Sequence, residues 1–587
     1  MKKEIIICIF FIVIIVLISF YPSLKNIFLD WDDKALVVEN KIIKSFSLKN
    51  IKEMFTCFYF ALYHPFVHLS YAIEYHFFGL NPFYYHFTNL ILHIINTLLV
   101  FWMIYLLSEK VLVSFIVSIL FGIHPLHVEP VAWISGRKDV LYSLFFLSGI
   151  ISYIYYQKKK NIKYYFFSFF LFIFSLLSKI MAITFPFILI LLDYFAYNKT
   201  YRKKLIEKIP FFIISIIIGL ISISPYYSGR EEVYKPAGCI FTNILLGIYC
   251  LIFYIKKMLI PVSLSCIYPY PWKANVRFSY HVLSSIIILF ILILLITFSG
   301  RYTKKIKFGF LFFFITIFPG IQIIPIGMNM PADRYSYIPL IGLFYIIGEF
   351  FYWLYLRNNK IIKISVGVIL VGIILLFSFL TEERCKVWKN DISLWSDVLK
   401  NYPDNILAYK KRGVAYSAEK QYDKAISDYN KALKIEVNDE EIYYNRGNAY
   451  LEIGEYEKAI LDYTYALKIK PNDPKIYYNR ANVYIKIRDY EKAISDYNEA
   501  LKINPNYIEA YINRGNIYFL KKNYEKAISD YTQALKIGNN YPQVYFNRAI
   551  AFFKSGNYEK GLLDIEELKK FGYQIDPKIY QLLHNRY

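Results

Sequence analysis

Up to residue 381 the chain alternates long apolar runs with short polar loops; beyond it the pattern changes to amphipathic helices at a fixed period. About 20 apolar residues are needed to cross the hydrocarbon of a bilayer, and the first run meets that length. It follows Lys2 and Lys3, outruns a signal-peptide core and lacks a small-residue cleavage site, so an uncleaved spanning helix is predicted. Further spans are predicted near 86–107, 111–123, 139–156, 164–178, 182–197, 209–226, 278–298, 308–325, 336–356 and 363–381, about eleven in all. The run near 240–260 carries Lys256 and Lys257 and stops at Pro261. It is placed as an interfacial helix, with a twelfth span as the alternative.

Beyond 381, Tyr409, Tyr443, Tyr477, Tyr511 and Tyr545 stand 34 residues apart, and Gly413, Gly447, Ala481, Gly515 and Ala549 follow four places later. Ala425, Ala459, Ala493 and Ala527 recur on a second helix, and Pro403, Pro471 and Pro505 mark junctions. A 34-residue helix–turn–helix period with small residues at the crossings is tetratricopeptide grammar. Such units bury a core only by stacking. The fold class is therefore all-α, a polytopic membrane helix bundle followed by a tetratricopeptide α-solenoid. The predicted boundaries are 1–381 for the membrane body, 382–405 for a linker, 406–575 for five repeats and 576–587 for a C-terminal cap. Gly561 replaces the usual Ala in the last repeat, where capping is expected from Asp564 onward.

Composition sharpens this picture. Apolar residues make up 56% and aromatics 20% of 587 residues, and the net charge is +23. The basic excess sits largely in short loops (Lys158–Lys160 with Lys163, Lys199–Lys204, Arg301–Lys307, Arg357–Lys363), which places those loops inside and argues against nucleic acid as partner. The other side then receives loops 23–68, 124–138 and 327–335 and the repeats. Loop 23–68 also holds six lysines, but long loops follow the rule weakly. Six cysteines without paired spacing give no metal or redox site.

The outward loops hold the candidate chemistry. FLDWDD supplies Asp30, Asp32 and Asp33, and HPLHVEPVAWISGRKD supplies His124, His127, Glu129, Arg137, Lys138 and Asp139. Lys179 lies where two apolar runs meet, and Asp333-Arg334-Tyr335 caps another. Ionisable groups at a bilayer edge are costly unless they pair or serve a wet cavity, so four clusters on one side imply a shared one. A carboxylate there can act as base, and cations can hold a departing anion. Asp30-Trp31-Asp32 also reads as a metal-binding DxD, but a metal-free site is preferred. The histidines, with a proline between them and no third ligand, are expected to bond within their loop or line the acceptor path. Arg137 and Lys138 have a second reading as lipid-headgroup anchors.

DWDDKALVVEN, FGLNPFYYHFTNLILH, HPLHVEPVAWISGRKD, LLSKIMAITFPFILILLD and DRYSYIP, followed by the repeats, resemble the transmembrane and tetratricopeptide repeat O-mannosyltransferases of the GT-C class. The resemblance implies a GT-C-like fold and transfer of a sugar, mannose by family expectation, from a polyprenyl-phosphate carrier to Ser/Thr hydroxyls of exported proteins. No further cofactor is implied. Asp32 and Asp33 match the family's acidic pair, with the base left open between them. Arg137, Lys138, Lys179 and Arg334, with His124, His127 and Glu129, are the candidates for substrate and phosphate. A single base implies inversion at the anomeric carbon. By the tetratricopeptide pattern the concave face carries Lys410, Tyr444, Asn448, Tyr478, Asn482 and Asn516, expected to grip an acceptor peptide with paired donors and acceptors. The array is expected on the non-cytoplasmic side: periplasm or exterior in a bacterium, endoplasmic reticulum lumen in a eukaryote. The alternative is a non-catalytic, membrane-anchored scaffold for envelope or secretory complexes. Arg412, Arg446, Arg480, Arg514 and Arg548 recur with no role assigned by the sequence.

Overall fold

The computed structural model describes residues 2–59, 63–196, 205–227, 240–269, 280–297, 303–321, 323, 331–357 and 359–572. It divides into two units, Met1–Pro403 and Asp404–Tyr587. The Lys199–Lys204 loop, Arg301, residues 327–330 of loop 327–335, Cys239 and the 576–587 cap lie outside the described residues.

The first unit is built from helices because hydrocarbon leaves the backbone no partner but itself. Its long helices are Lys2–Phe20, Pro82–Ser108, Val111–Ile123, Arg137–Lys159, Ile162–Ser178, Phe185–Ala196, Ile209–Tyr227, Ile240–Leu259, Tyr280–Thr297, Thr303–Ile317, Leu340–Tyr355 and Lys360–Val387. Among the described residues five are long and apolar enough to cross a membrane, or six if Val111–Ile123 and Pro125–Ala132, bent by 54°, count as one. The expected eleven are not established by this measure, because Ile162–Ser178, Ile180–Phe195, Ile209–Ser222, Val282–Ile291 and Leu340–Tyr355 are shorter.

Ile240–Leu259 is long enough to span. Yet it bonds at three points along its length to segments at one end of the bundle. Asn243 Nδ2 donates to Ile323 O (3.3 Å), Tyr254 OH to Ala332 O (3.0 Å), and Met258 O accepts from His124 (2.9 Å). The opposite end gathers basic loops: Lys110 and Lys305 both pair with Glu349 (3.0 and 2.6 Å), and Lys158 donates to Leu106 O (2.8 Å). Thr303–Ile317 and Leu340–Tyr355 approach backbone to backbone, since a Cβ on Gly342 would collide with Gly309 O. Small residues permit this contact between apolar helices.

The expected linker needs correction. Lys360–Val387 continues past residue 381, and helix Asp391–Asn401 follows behind a capping box of Asn390 and Ser393. Trp388 and Trp395 are buried, and the first unit ends only at Pro403. Two large indoles needing burial make residues 382–401 part of the first unit's packing.

In the second unit five helix pairs follow the 34-residue period, from Ile406–Ala418 with Tyr422–Ile435 to Pro542–Lys554 with Tyr558–Lys570. The recurring arginines now have a role. Nε and Nη2 of Arg480 donate to the two oxygens of Asp496 (both 2.8 Å), and Nη1 donates to Thr464 Oγ1 in the preceding repeat (2.9 Å). Arg446, Arg514 and Arg548 repeat this on Asp462, Asp530 and Asp564, reaching back to Asn430, Asn498 and Thr532. Arg412 pairs with Asp428. Each fork ties a repeat's two helices together, and four of them also reach the neighbouring repeat. Removing one leaves a buried carboxylate unpaired.

Arg480→Ala should therefore destabilise the central repeats by about 3 kcal/mol, seen as faster hydrogen exchange in residues 474–503 of the intact chain. A double Arg480→Leu, Asp496→Leu variant should recover most of that loss.

Candidate functional site

At the end of the first unit opposite the basic loops, four segments distant in sequence meet. Pro125 breaks the helix ending at Ile123, and His124 caps the short turn after it by accepting Leu126 N–H on Nδ1 (3.2 Å). The chain then turns at Ile134–Gly136. A Cβ on Gly136 would lie 2.5 Å from Pro130 O, so only glycine fits this close approach. The turn delivers Arg137, Lys138 and Asp139 on the first turn of Arg137–Lys159.

The two acidic candidates have different surroundings. Asp33 is fully buried: Oδ1 accepts the N–H (2.9 Å) and hydroxyl (2.5 Å) of Ser135, and Oδ2 accepts Leu29 N–H (3.1 Å). Burial pushes its carboxyl up to about 7, against the pull of those three donors. Asp32 has a side chain 36% exposed, 3.6 Å from Lys138 Nζ. Asp33 is thus a fastening, and Asp32 is the member of the pair that solvent can reach. Asp30 pairs with Lys34 at 3.5 Å, and its N–H is bound by both oxygens of Asp391 (3.0 Å each).

The cations sort in the same way. Arg137 has five N–H donors and all are spent: on Asn89 Oδ1, Ser70 Oγ (3.2 Å), both oxygens of Glu74 (3.1 and 2.9 Å) and Tyr85 O (3.0 Å). It is fully buried and has nothing left for a phosphate, so its expected substrate role is corrected to a structural one. Lys138, Lys179 and Arg334 instead surround two rings. Lys138 and Arg334 stand 5.1 and 5.7 Å from the Trp133 ring, and Lys179 and Arg334 stand 5.3 and 5.1 Å from that of Tyr335. Each is paired, Lys138 with Asp32, Lys179 with Asp139 and Arg334 with Glu129.

His124, His127 and Glu129 are likewise committed. His124 Nε2 donates to Met258 O, and His127 Nδ1 bonds Phe121 O (2.7 Å) with its ring packed on Tyr337 (4.9 Å). Glu129 also accepts Arg334 N–H (3.0 Å). All three are buried and hold the loop, as does Asp333, which accepts Tyr268 OH (2.6 Å) and whose carboxyl burial raises to about 7. No group of three or more potential metal ligands occurs among the described residues. Trp133, Glu74 and Asp391 were not picked out from sequence. Trp133 sits in the WISGRKD stretch, but the partners of Glu74 and Asp391 are distant along the chain.

On the repeats, Asn448 Oδ1 accepts Tyr463 OH (2.6 Å) and Asn479 Nδ2 (3.1 Å), while Tyr444 OH accepts Asn479 (3.0 Å). Asn482 with Tyr478, and Asn516, are held the same way by Asn513 and Asn547. Their carbonyls are spent, so the expected paired grip reduces to the Nδ2 donors. Lys410, also expected on the concave face, is taken by Asp439 (2.8 Å) and Glu441.

Tetratricopeptide repeat models match residues 474–507 and 496–529, and a TPR repeat model matches 413–454, 447–487 and 515–556. Protein O-mannosyl-transferase TMTC1 of Mus musculus is 40% identical over 95 residues, 16% of this chain and 10% of that protein. A protein O-mannosyl-transferase of Caenorhabditis elegans is 24% identical over 389 residues, 62% of this chain and 53% of that one. That share exceeds the whole of Asp404–Tyr587, so the likeness enters the membrane unit. The chain is thus similar in part to these O-mannosyl-transferases and carries a C-terminal tetratricopeptide array. It spans between a tenth and about half the length of these curated relatives. Among solved structures, MamA is 23% identical with a TM-score of 0.27, covering 29% of this chain and 96% of its own. YrrB, titled a TPR protein with an unusual peptide-binding site, is 19% identical with a TM-score of 0.29, covering 33% and 97%.

Two outcomes test these roles of Asp33 and Arg137. Asp33 binds its proton more tightly folded than unfolded, so the stability it contributes is full below pH about 4 and is lost as pH rises through about 7. The melting temperature of wild type minus that of Asp33→Asn should accordingly shrink from pH 4 to pH 8. Arg137→Gln strands Glu74 in the interior and should cost about 3–5 kcal/mol of stability in detergent, a loss that a phosphate-binding surface arginine would not produce.

Proposed function

We propose that the chain is an integral-membrane protein O-mannosyltransferase that uses a polyprenyl-phosphate sugar. The observation that carries this reading is Asp32, a solvent-reachable carboxylate 3.6 Å from Lys138 and beside the Lys138–Lys179–Arg334 group. Asp32 takes the proton of an acceptor Ser or Thr hydroxyl as its oxygen bonds to the anomeric carbon. The bond from that carbon to the carrier phosphate breaks, and its electron pair leaves with the phosphate, which the three cations stabilise. One base and one displacement invert the anomeric centre. Trp133 and Tyr335 keep the cations splayed around their rings, and Arg334 keeps donors beyond those given to Glu129. The partial likeness to proteins named protein O-mannosyl-transferases supports the same class of activity.

In this reading the repeats face the non-cytoplasmic compartment and recruit the acceptor. Asn448, Asn482 and Asn516 offer their amide N–H groups to the carbonyls of an extended peptide, with Tyr444 and Tyr478 as contact surface.

Purified protein in detergent, given radiolabelled polyprenyl-phosphate mannose and an exported-protein fraction, should label protein. Asp32→Asn should lower the rate by about 10²–10⁴-fold while the variant melts as wild type does. Label transfer undiminished by Asp32→Asn, or absent from wild type, rules the assignment out.

A further inference from the structure

The stretch leading to Asp32 is gripped from outside its own loop. Asn26 Nδ2 donates to Cys385 O (3.3 Å) and Ile27 N–H to Lys389 O (3.2 Å). Asp30 N–H lies 3.0 Å from each oxygen of Asp391, and the Trp31 ring stands 5.6 Å from that of Trp395. The gripping residues all fall between 385 and 395, where the last apolar helix ends and helix Asp391–Asn401 begins.

That segment is itself braced. Asn390 and Ser393 cap the helix reciprocally, Arg384 pairs with Asp397, and Asn401 Nδ2 reaches Leu264 O (3.5 Å). An acid in a first helical turn is favoured by the helix dipole wherever it points. This one turns both oxygens on the backbone two residues before Asp32. On the other side Asp33 is fixed to Ser135, so Asp32 is left between two anchored neighbours with its own side chain unburied.

We infer that Asp391 and Trp395 are positioning residues for Asp32. They hold the Asp30 backbone and the Trp31 ring so that the Asp32 carboxylate stays beside Lys138. This rests on the reading of Asp32 as base. Without the Asp391 acceptor the loop loses its charge-assisted bond, and a displacement of about 1 Å at a reacting group costs on the order of 10²-fold in rate.

The experiment uses the full chain in detergent and reads Lys138 first. Trace acetic anhydride at pH 8, with mass spectrometry, reports how firmly Asp32 occupies that amine, and Asp32→Asn sets the value for the unpaired lysine. Asp391→Ala should raise Lys138 acetylation to the Asp32→Asn value. Asp391→Asn, which keeps an oxygen for Asp30 N–H, should return it at least half-way to wild type. In the transfer assay Asp391→Ala should lower kcat about ten- to hundredfold with the donor KM within about twofold. A merely structural acid would lower the melting temperature without this split or the rescue. If Asp391→Ala does not fold, Trp395→Leu is read by the same measure. Lys138 acetylation equal to wild type in the folded variant overturns the inference. Should wild type transfer no sugar, the mannosyltransferase reading fails, and the lysine readout still decides whether Asp391 and Trp395 position Asp32.

Discussion

Asp33 ties loop 23–68 to loop 124–138, and the arrangement at that end of the membrane unit depends on this bond. Its two oxygens collect three donors from Leu29 and Ser135, which fixes the FLDWDD turn against the turn that launches Arg137, Lys138 and Asp139. A carboxylate taken out of water is costly unless donors replace the lost hydration, so the two turns can approach only in the register that supplies them. Asp32, the residue before it, is directed away from that bond toward Lys138. Two adjacent residues of one chemical type are thereby given different environments, the usual way in which one carboxylate becomes a fastening and another stays available.

Counting donors separates the cations by the same logic. Arg137 has five and spends five; Arg334 gives one guanidinium arm and its backbone N–H to Glu129 and rests the remainder of its fork on aromatic rings. Lys138, Lys179 and Arg334 each have one acid, so the group is balanced at rest. A buried cluster of bare cations would be too costly to fold, whereas pairs can exchange partners when another anion arrives. In the proposed reaction the charge appearing on the leaving phosphate is met by groups already in place, and little reorganisation is needed as it forms.

How much of this was legible in the sequence depends on the distance over which each feature is decided. The repeats were legible because their signal is local and repeated. Membrane character was legible as apolar length, but the number of spans was not, since bends such as that at Pro125 depend on what the helix end packs against. The candidate site was legible as ionisable residues in loops between apolar runs, and the structure brings Asp32, Lys138, Lys179 and Arg334 together. Roles were not, because they follow from partners far along the chain: Glu74 lies 63 residues from Arg137, and Asp391 lies 361 from Asp30. The arginine ladder was within reach, since an aspartate recurs 16 residues after every one of those arginines.

The ladder also bears on what the array can select. Five arginines and five aspartates neutralise one another between helices, and Lys410 is neutralised by Asp439 and Glu441. The charges of the arginine–aspartate ladder are therefore used in holding the stack. At the expected concave positions there remain tyrosine rings and asparagine amides whose carbonyls are already bonded, a surface of uncharged donors. Neutral donors at a fixed spacing discriminate by the direction of an extended backbone and poorly by side-chain charge. In the proposed function, recruitment through such a surface would gain breadth of acceptor at the expense of sequence specificity, and the choice of hydroxyl would fall to the proposed catalytic site.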